Sequence, residues 1–156
     1  MEPWMIGVVI GGAGLVALVL LWRPLRRFGR EVQLERAREL FRLQRERLEM
    51  EFLKAAAASG KPRGLRWKDC QWDNGVEFVR ERRSGQIAAL VGVTIQFEAI
   101  EGSDMEGLPA VGNLRNASAV FFYQRGQWHT VGRAVFNMNP DEAVLHFKNQ
   151  YERPGR

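Results

Sequence analysis

The sequence predicts an α+β fold: one N-terminal transmembrane helix, an amphipathic stalk helix, then an antiparallel β-meander of five to six strands closed by a C-terminal helix. Three observations lead there. Residues 4–22 form an uncharged apolar run. Residues 31–59 contain no Gly or Pro and are dense in Arg, Glu, Leu and Ala, good helix formers. Beyond Gly64 the apolar period falls to two, and Gly/Asn/Ser clusters punctuate it. The expected segments are a tail (1–3), the span (4–22), a basic juxtamembrane stretch (23–30), the charged helix (31–59), a linker (60–64), the β domain with its helix (65–152) and a tail (153–156).

The run WMIGVVIGGAGLVALVLLW has 19 residues. At ~1.5 Å per residue a helix of that length reaches roughly 28 Å, close to the hydrocarbon thickness of a bilayer. Trp4 and Trp22 stand at its ends, where indole rings favour the headgroup region. A buried core helix of this length would not be apolar on every side. A cleaved signal peptide would need a basic start and a small-residue cleavage site. Glu2 is the only charge before the run, which ends in Leu-Leu-Trp-Arg-Pro. No Cys follows directly, so a lipoprotein anchor is not expected.

Arg23, Arg26, Arg27 and Arg30 follow the run, with no acidic residue among them. Basic flanks stay on the cytoplasmic side. The expected topology is N-terminus outside and β domain in the cytoplasm, with the arginines contacting anionic headgroups at about 1 kcal/mol each. Gly7, Gly11 and Gly14 share one helical face, a GxxxG pattern that lets two membrane helices approach. A homodimer through that face is one expectation; the bland alternative is the general abundance of glycine in membrane helices.

In the charged helix Leu34, Phe41, Leu48 and Ala55 recur every seven residues. The companion positions Ala37, Gln44 and Glu51 make a poor coiled-coil seam. Leu40, Leu43, Phe52 and Leu53 widen the stripe. A stalk that lays this stripe on its own domain is favoured over a parallel coiled coil. Arg42–Glu46, Arg45–Glu49 and Arg47–Glu51 are opposite charges at i,i+4.

In the β domain Val91, Val93, Ile95, Phe97 and Ala99 alternate with Gly92, Thr94, Gln96 and Glu98, the pattern of a half-buried strand. Turns are expected at Asp73-Asn-Gly75, Arg83-Ser-Gly-Gln86 and Gln124-Arg-Gly-Gln127. The last joins a strand at 117–123 to one at 128–136. Residues 101–109 read as a long acidic loop. Asn139-Pro-Asp-Glu142 has the capping-box pattern of a helix start. Ala143, Val144, Phe147 and Tyr151 would be that helix's buried face, so that the stalk and the last helix cover the two faces of the sheet.

The chain has 23 basic and 18 acidic residues, net +5. Four of the arginines adjoin the apolar run, and residues 61–156 carry 13 basic against 11 acidic. A nucleic-acid surface is not expected from that distribution. One cysteine, Cys70, excludes an intrachain disulfide. Two histidines, His129 and His146, lie in separate elements and do not make a zinc set with Cys70. A Cys70/His nucleophile would need a spatial meeting, and a structural thiol is the simpler reading. Glu101, Asp104 and Glu106 match no calcium-loop spacing. No Walker loop, dinucleotide fingerprint or nucleophile elbow is present.

No catalytic, cofactor or metal residue is therefore assigned. The expected partners are the lipid bilayer and its anionic headgroups, together with a protein partner. The leading expectation is a non-enzymatic, membrane-anchored interaction or scaffold module of an envelope-associated assembly. A tethered small-molecule or lipid binder is the alternative, with Trp67, Trp72, Phe97 and Trp128 lining a pocket. An enzyme of unrecognised type ranks third.

Overall fold

The computed structural model describes the backbone of residues 3–154 and the side chains of 28–154, with those of Gly14 and Trp22. It comprises two units, Met1–Arg36 and Ala37–Arg156. Helix α1 runs from Pro3 to Ala58, so the predicted span, basic stretch and stalk are consecutive parts of one helical segment. Among the described residues no helix is long and apolar enough to cross a membrane. The side chains of the predicted span, apart from Gly14 and Trp22, lie outside those described. At its C-terminal end α1 stops at Gly60 (φ +64°), a left-handed conformation that glycine adopts without steric cost. Ser59 Oγ there donates to Ala56 O at 2.6 Å.

The second unit is built on β1 (Leu65–Glu81), β2 (Ile87–Ala99), β3 (Arg115–Gln124), β4 (Gln127–His129), β5 (Ala134–Phe136) and β6 (Tyr151–Glu152). They form one six-stranded antiparallel sheet in the order β4-β3-β2-β1-β6, with β5 also paired to β3. The expected α+β class and antiparallel meander are both present. The β1–β2 turn falls at residues 82–86, and the β3–β4 turn is made by Arg125 (φ 51°) and Gly126 (φ 79°).

One face of the sheet receives residues 37–58 of α1. The buried positions Ala37, Phe41, Leu48, Phe52 and Ala56 follow the helical repeat. Phe41 meets Phe78, Phe121 and Trp128 edge-on at 5.0–5.7 Å between ring centroids. Trp128 Nε1 donates to Ala37 O at 2.8 Å, which satisfies the indole in the core. On the opposite face α2 (Pro140–His146) packs Ala143 and Val144 on Val79, Ala88 and Leu90. Phe121 is fully buried on the first face; Phe122 is half-buried on the second.

Three local expectations are corrected. Asp73-Asn-Gly75 is not a hairpin turn. β1 passes straight through it as a bulge, with Trp72 opposite Val93 and Val76 opposite Val91. A turn there would separate Trp72 from Val76, whereas the bulge keeps one strand along α1, and Arg45 holds the looped carbonyls. The strand expected over 128–136 divides into β4 and β5. Gly132 (φ +70°) lies so close to α1 that a Cβ on it would stand 2.3 Å from Ala56 N. Finally, α2 ends at His146. Phe147 caps it, and Tyr151 is buried as part of β6 and not as a helix residue. Backbone bonds from Gln150 N and Tyr151 N to Phe147 O turn the chain there.

Candidate functional site

Of the four aromatics expected to line a pocket, Phe97 and Trp128 are buried and Trp67 and Trp72 are half-buried. Phe52 stands 6.0 Å from Trp67 and 5.4 Å from Trp72, and Trp67 lies 5.2 Å from Phe97. Trp128 belongs to the Phe41 cluster and is 3 % exposed. Helix side chains contact three of these rings, Phe52 meeting Trp67 and Trp72 and Phe41 meeting Trp128.

A concavity lies on the α2 face. It is a polar cleft of about 540 Å³, bordered by Asp73 of the bulge, Gly92 and Thr94 of β2, Asn116 of β3, and Asn137, Asn139 and Glu142 at the approach to α2. A smaller hollow of about 160 Å³ shares Asp73, Gly92 and Asn139. The cleft exists because α2 has only seven residues. It covers Val79, Ala88 and Leu90, and the sheet extends beyond it. At that boundary the face turns from apolar to polar, through Gly92 and Thr94 on β2 and Ser118 and Asn116 on β3.

Each wall has a local cause. Asn139 accepts from Glu142 N and Glu142 Oε2 accepts from Asn139 N, both at 2.9 Å, the reciprocal capping box expected from the sequence. Asn137 is left-handed (φ 59°) and donates its N–H to Asn116 O at 2.8 Å. Ser118 Oγ donates to Met138 O at 2.8 Å. These bonds seat the chain before α2 on β3. Thr94 Oγ1 donates to Asn116 Oδ1 at 3.3 Å. Arg45 of α1 holds the bulge, its Nη1 donating to Asn74 O at 2.8 Å and its Nη2 to Asp73 O. Arg45 Nε also binds Glu49 at 2.7 Å.

The remaining candidates are dispersed. Cys70 is half-buried; burial first and Asp69 second push its thiol up to about 11, so it carries little thiolate at neutral pH. His129 lies beside the Phe122 ring and His146 beside Phe147. Glu106 of the acidic loop accepts from Gly102 N at 2.8 Å. Among the described residues no three His, Cys, Asp or Glu side chains are grouped to hold a metal. Of the membrane-associated candidates, the side chains of Trp4, Arg23, Arg26 and Arg27, together with Gly7 and Gly11, lie outside those described. Trp22 and Arg30 are exposed, and a Cβ on Gly14 would meet nothing within 4 Å.

Comparison with protein-family models, curated proteins and solved structures finds no match. The site therefore rests on its own geometry. Sequence reading missed the cleft because it took Asp73-Asn-Gly75 for a turn. The available signals were a glycine at an alternating position of β2 and the asparagines on either side of Met138.

Proposed function

We propose that the chain is a single-pass, membrane-anchored interaction module: α1 tethers it, the β domain faces the cytoplasm, and a protein partner binds the domain. The observation that carries this reading is that one helix, α1, contains both the uncharged run of residues 4–22 and, from Ala37 onward, the side chains that complete the sheet's core. The segment that would enter the bilayer is thus continuous in sequence with a structural part of the domain. The packed rings favour a binding surface over an aromatic-lined lipid pocket, and the high thiol pKa of Cys70 disfavours cysteine catalysis.

The test uses the full chain in membranes. It should resist alkaline carbonate extraction, and a reporter after Arg156 should be active only in the cytoplasm. In mild detergent it should co-purify with a protein partner in fixed stoichiometry. Carbonate release, or an active reporter on the far side, would overturn the anchoring or its orientation. A lone monomer would overturn the partner.

A further inference from the structure

Asp73 places an exposed carboxylate at the cleft, while its main chain is held from the other face of the sheet. The main chain of Asp73 is fixed on the α1 face, where the Arg45 guanidinium takes the carbonyls of Asp73 and Asn74. The Arg45 and Glu49 side chains are 23 % and 19 % exposed, whereas Asp73 and Asn74 themselves are exposed. On the α2 face the Asp73 carboxylate lies over Gly92. A Cβ on Gly92 would stand 2.1 Å from Asp73 Oδ2, so this placement requires glycine. Among the described residues no hydrogen bond or ion pair engages that carboxylate.

Its surroundings favour a cation. Thr94, Asn116 and Asn137 add neutral oxygen acceptors around the same space. Glu142 Oε2 is used in the helix cap. Arg153, the nearby base, is already paired with Glu77 and Asp141. Arg115 borders the cleft, but it pairs with Ile95, a buried residue of the α1 face, so its Cβ projects to that side. A planar guanidinium can take both oxygens of a carboxylate while its remaining N–H groups reach neighbouring acceptors. The cleft's volume is ample for one basic side chain and its flanking backbone.

We infer that the Asp73 cleft receives a basic side chain, arginine above all, presented by a protein partner. Asp73 is the ion-pairing group, and Arg45 is a positioning residue that sets Asp73 from the opposite face of the sheet. This rests on the reading of the chain as an interaction module and adds the chemistry of the contact.

The full chain in detergent micelles is titrated with acetyl-arginine amide, with its uncharged citrulline counterpart and with a short Gly/Arg peptide, and followed by amide NMR. Arginine amide and the peptide should shift Gly92, Thr94, Asn116 and Asn137, and citrulline amide should not. Asp73→Asn, nearly isosteric, should weaken binding about tenfold or more. Gly92→Ala, which displaces the carboxylate but keeps its charge, should weaken it as well. Arg45→Gln should move the Gly92 and Asp73 amides in the free protein and weaken binding, with partial rescue by Arg45→Lys. Unchanged affinity in both Asp73→Asn and Gly92→Ala, or equal binding of citrulline amide, would overturn the assignment. Binding of arginine amide without binding of the peptide would overturn a protein partner as its source. A partner that co-purifies undiminished with Asp73→Asn would leave the interaction-module reading standing and overturn this contact.

Discussion

Phe41 and Phe52 do at single positions what their helix does for the domain. Each is buried to within 2 % and touches three rings from the sheet. Truncating either removes apolar burial and leaves a cavity among rings that cannot all collapse inward. Phe41→Ala should lower unfolding stability by about 3–5 kcal/mol in denaturant titration. Leu43→Ala, at a site 69 % exposed on the same helix, should stay within about 0.5 kcal/mol. Equal effects would mean that the packed face is not the energetic one. Cys70 supplies a pH prediction. Its folded pKa is raised from 9.0 to about 11, so the folded state holds the thiol proton more tightly than the unfolded chain. That contribution to stability is present below pH ~9 and is lost as pH rises toward 11. Alkylation by iodoacetamide should accordingly be slow at pH 8 and accelerate above pH 9. A rate at pH 8 equal to that of the unfolded chain would contradict the assigned shift.

At the scale of elements, what could be read from sequence divides by the range of the interaction responsible. The capping box at Asn139–Glu142, the turns at residues 83–86 and 124–127, and the alternation along β2 all rest on contacts between near neighbours, and all appear in the fold. The failures lie where a distant element intervenes. Asp73-Asn-Gly75 has ideal turn chemistry, yet Arg45, 28 and 29 residues away, holds it as a bulge inside β1. The single strand expected over 128–136 breaks where α1 ends against Gly132. The cleft depends on both the bulge and the shortness of α2, so the β2 glycine and the asparagines flanking Met138 did not by themselves mark it. Gly132 is testable by itself. Its φ of +70° disfavours any side chain, and a Cβ would also press on the Ala55–Ala56 backbone, which has little freedom to yield. Gly132→Ala should therefore cost more than about 1 kcal/mol and lower the melting temperature by several degrees. The control is Gly126→Ala, also at positive φ (+79°) but with nothing within 4 Å of the added Cβ, which isolates the backbone cost. If the two variants melt alike, the approach of α1 to Gly132 contributes nothing.

For the molecule as a whole, the decisive question is where the folded domain begins. Composition places the boundary at the linker of residues 60–64, between a charged helix and a β-rich segment. The packing places it near Ala37, where the second unit starts. The difference is physical. The sheet's α1 face carries Phe78, Phe97, Phe121, Trp67, Trp72 and Trp128, more aromatic surface than an isolated sheet of this size can leave in water. Residues 37–58 cover that face, and Arg45 and the Trp128–Ala37 hydrogen bond fix their position. A fragment of residues 61–156 should therefore expose the aromatic face, bind a hydrophobic dye, and aggregate or melt without a cooperative transition. A fragment of residues 30–156, which lacks the apolar run but keeps the covering helix, should be soluble and unfold in one step. Adding residues 30–60 as a separate peptide to the shorter fragment should restore part of the cooperativity, since the missing contacts are noncovalent. If the shorter fragment is by itself soluble, monomeric and cooperatively folded, the helix is a dispensable stalk and the ring cluster is not the core of the domain. If both fragments aggregate while the full chain in detergent does not, residues before 30 are needed as well, and the second unit would not be an independent folding unit.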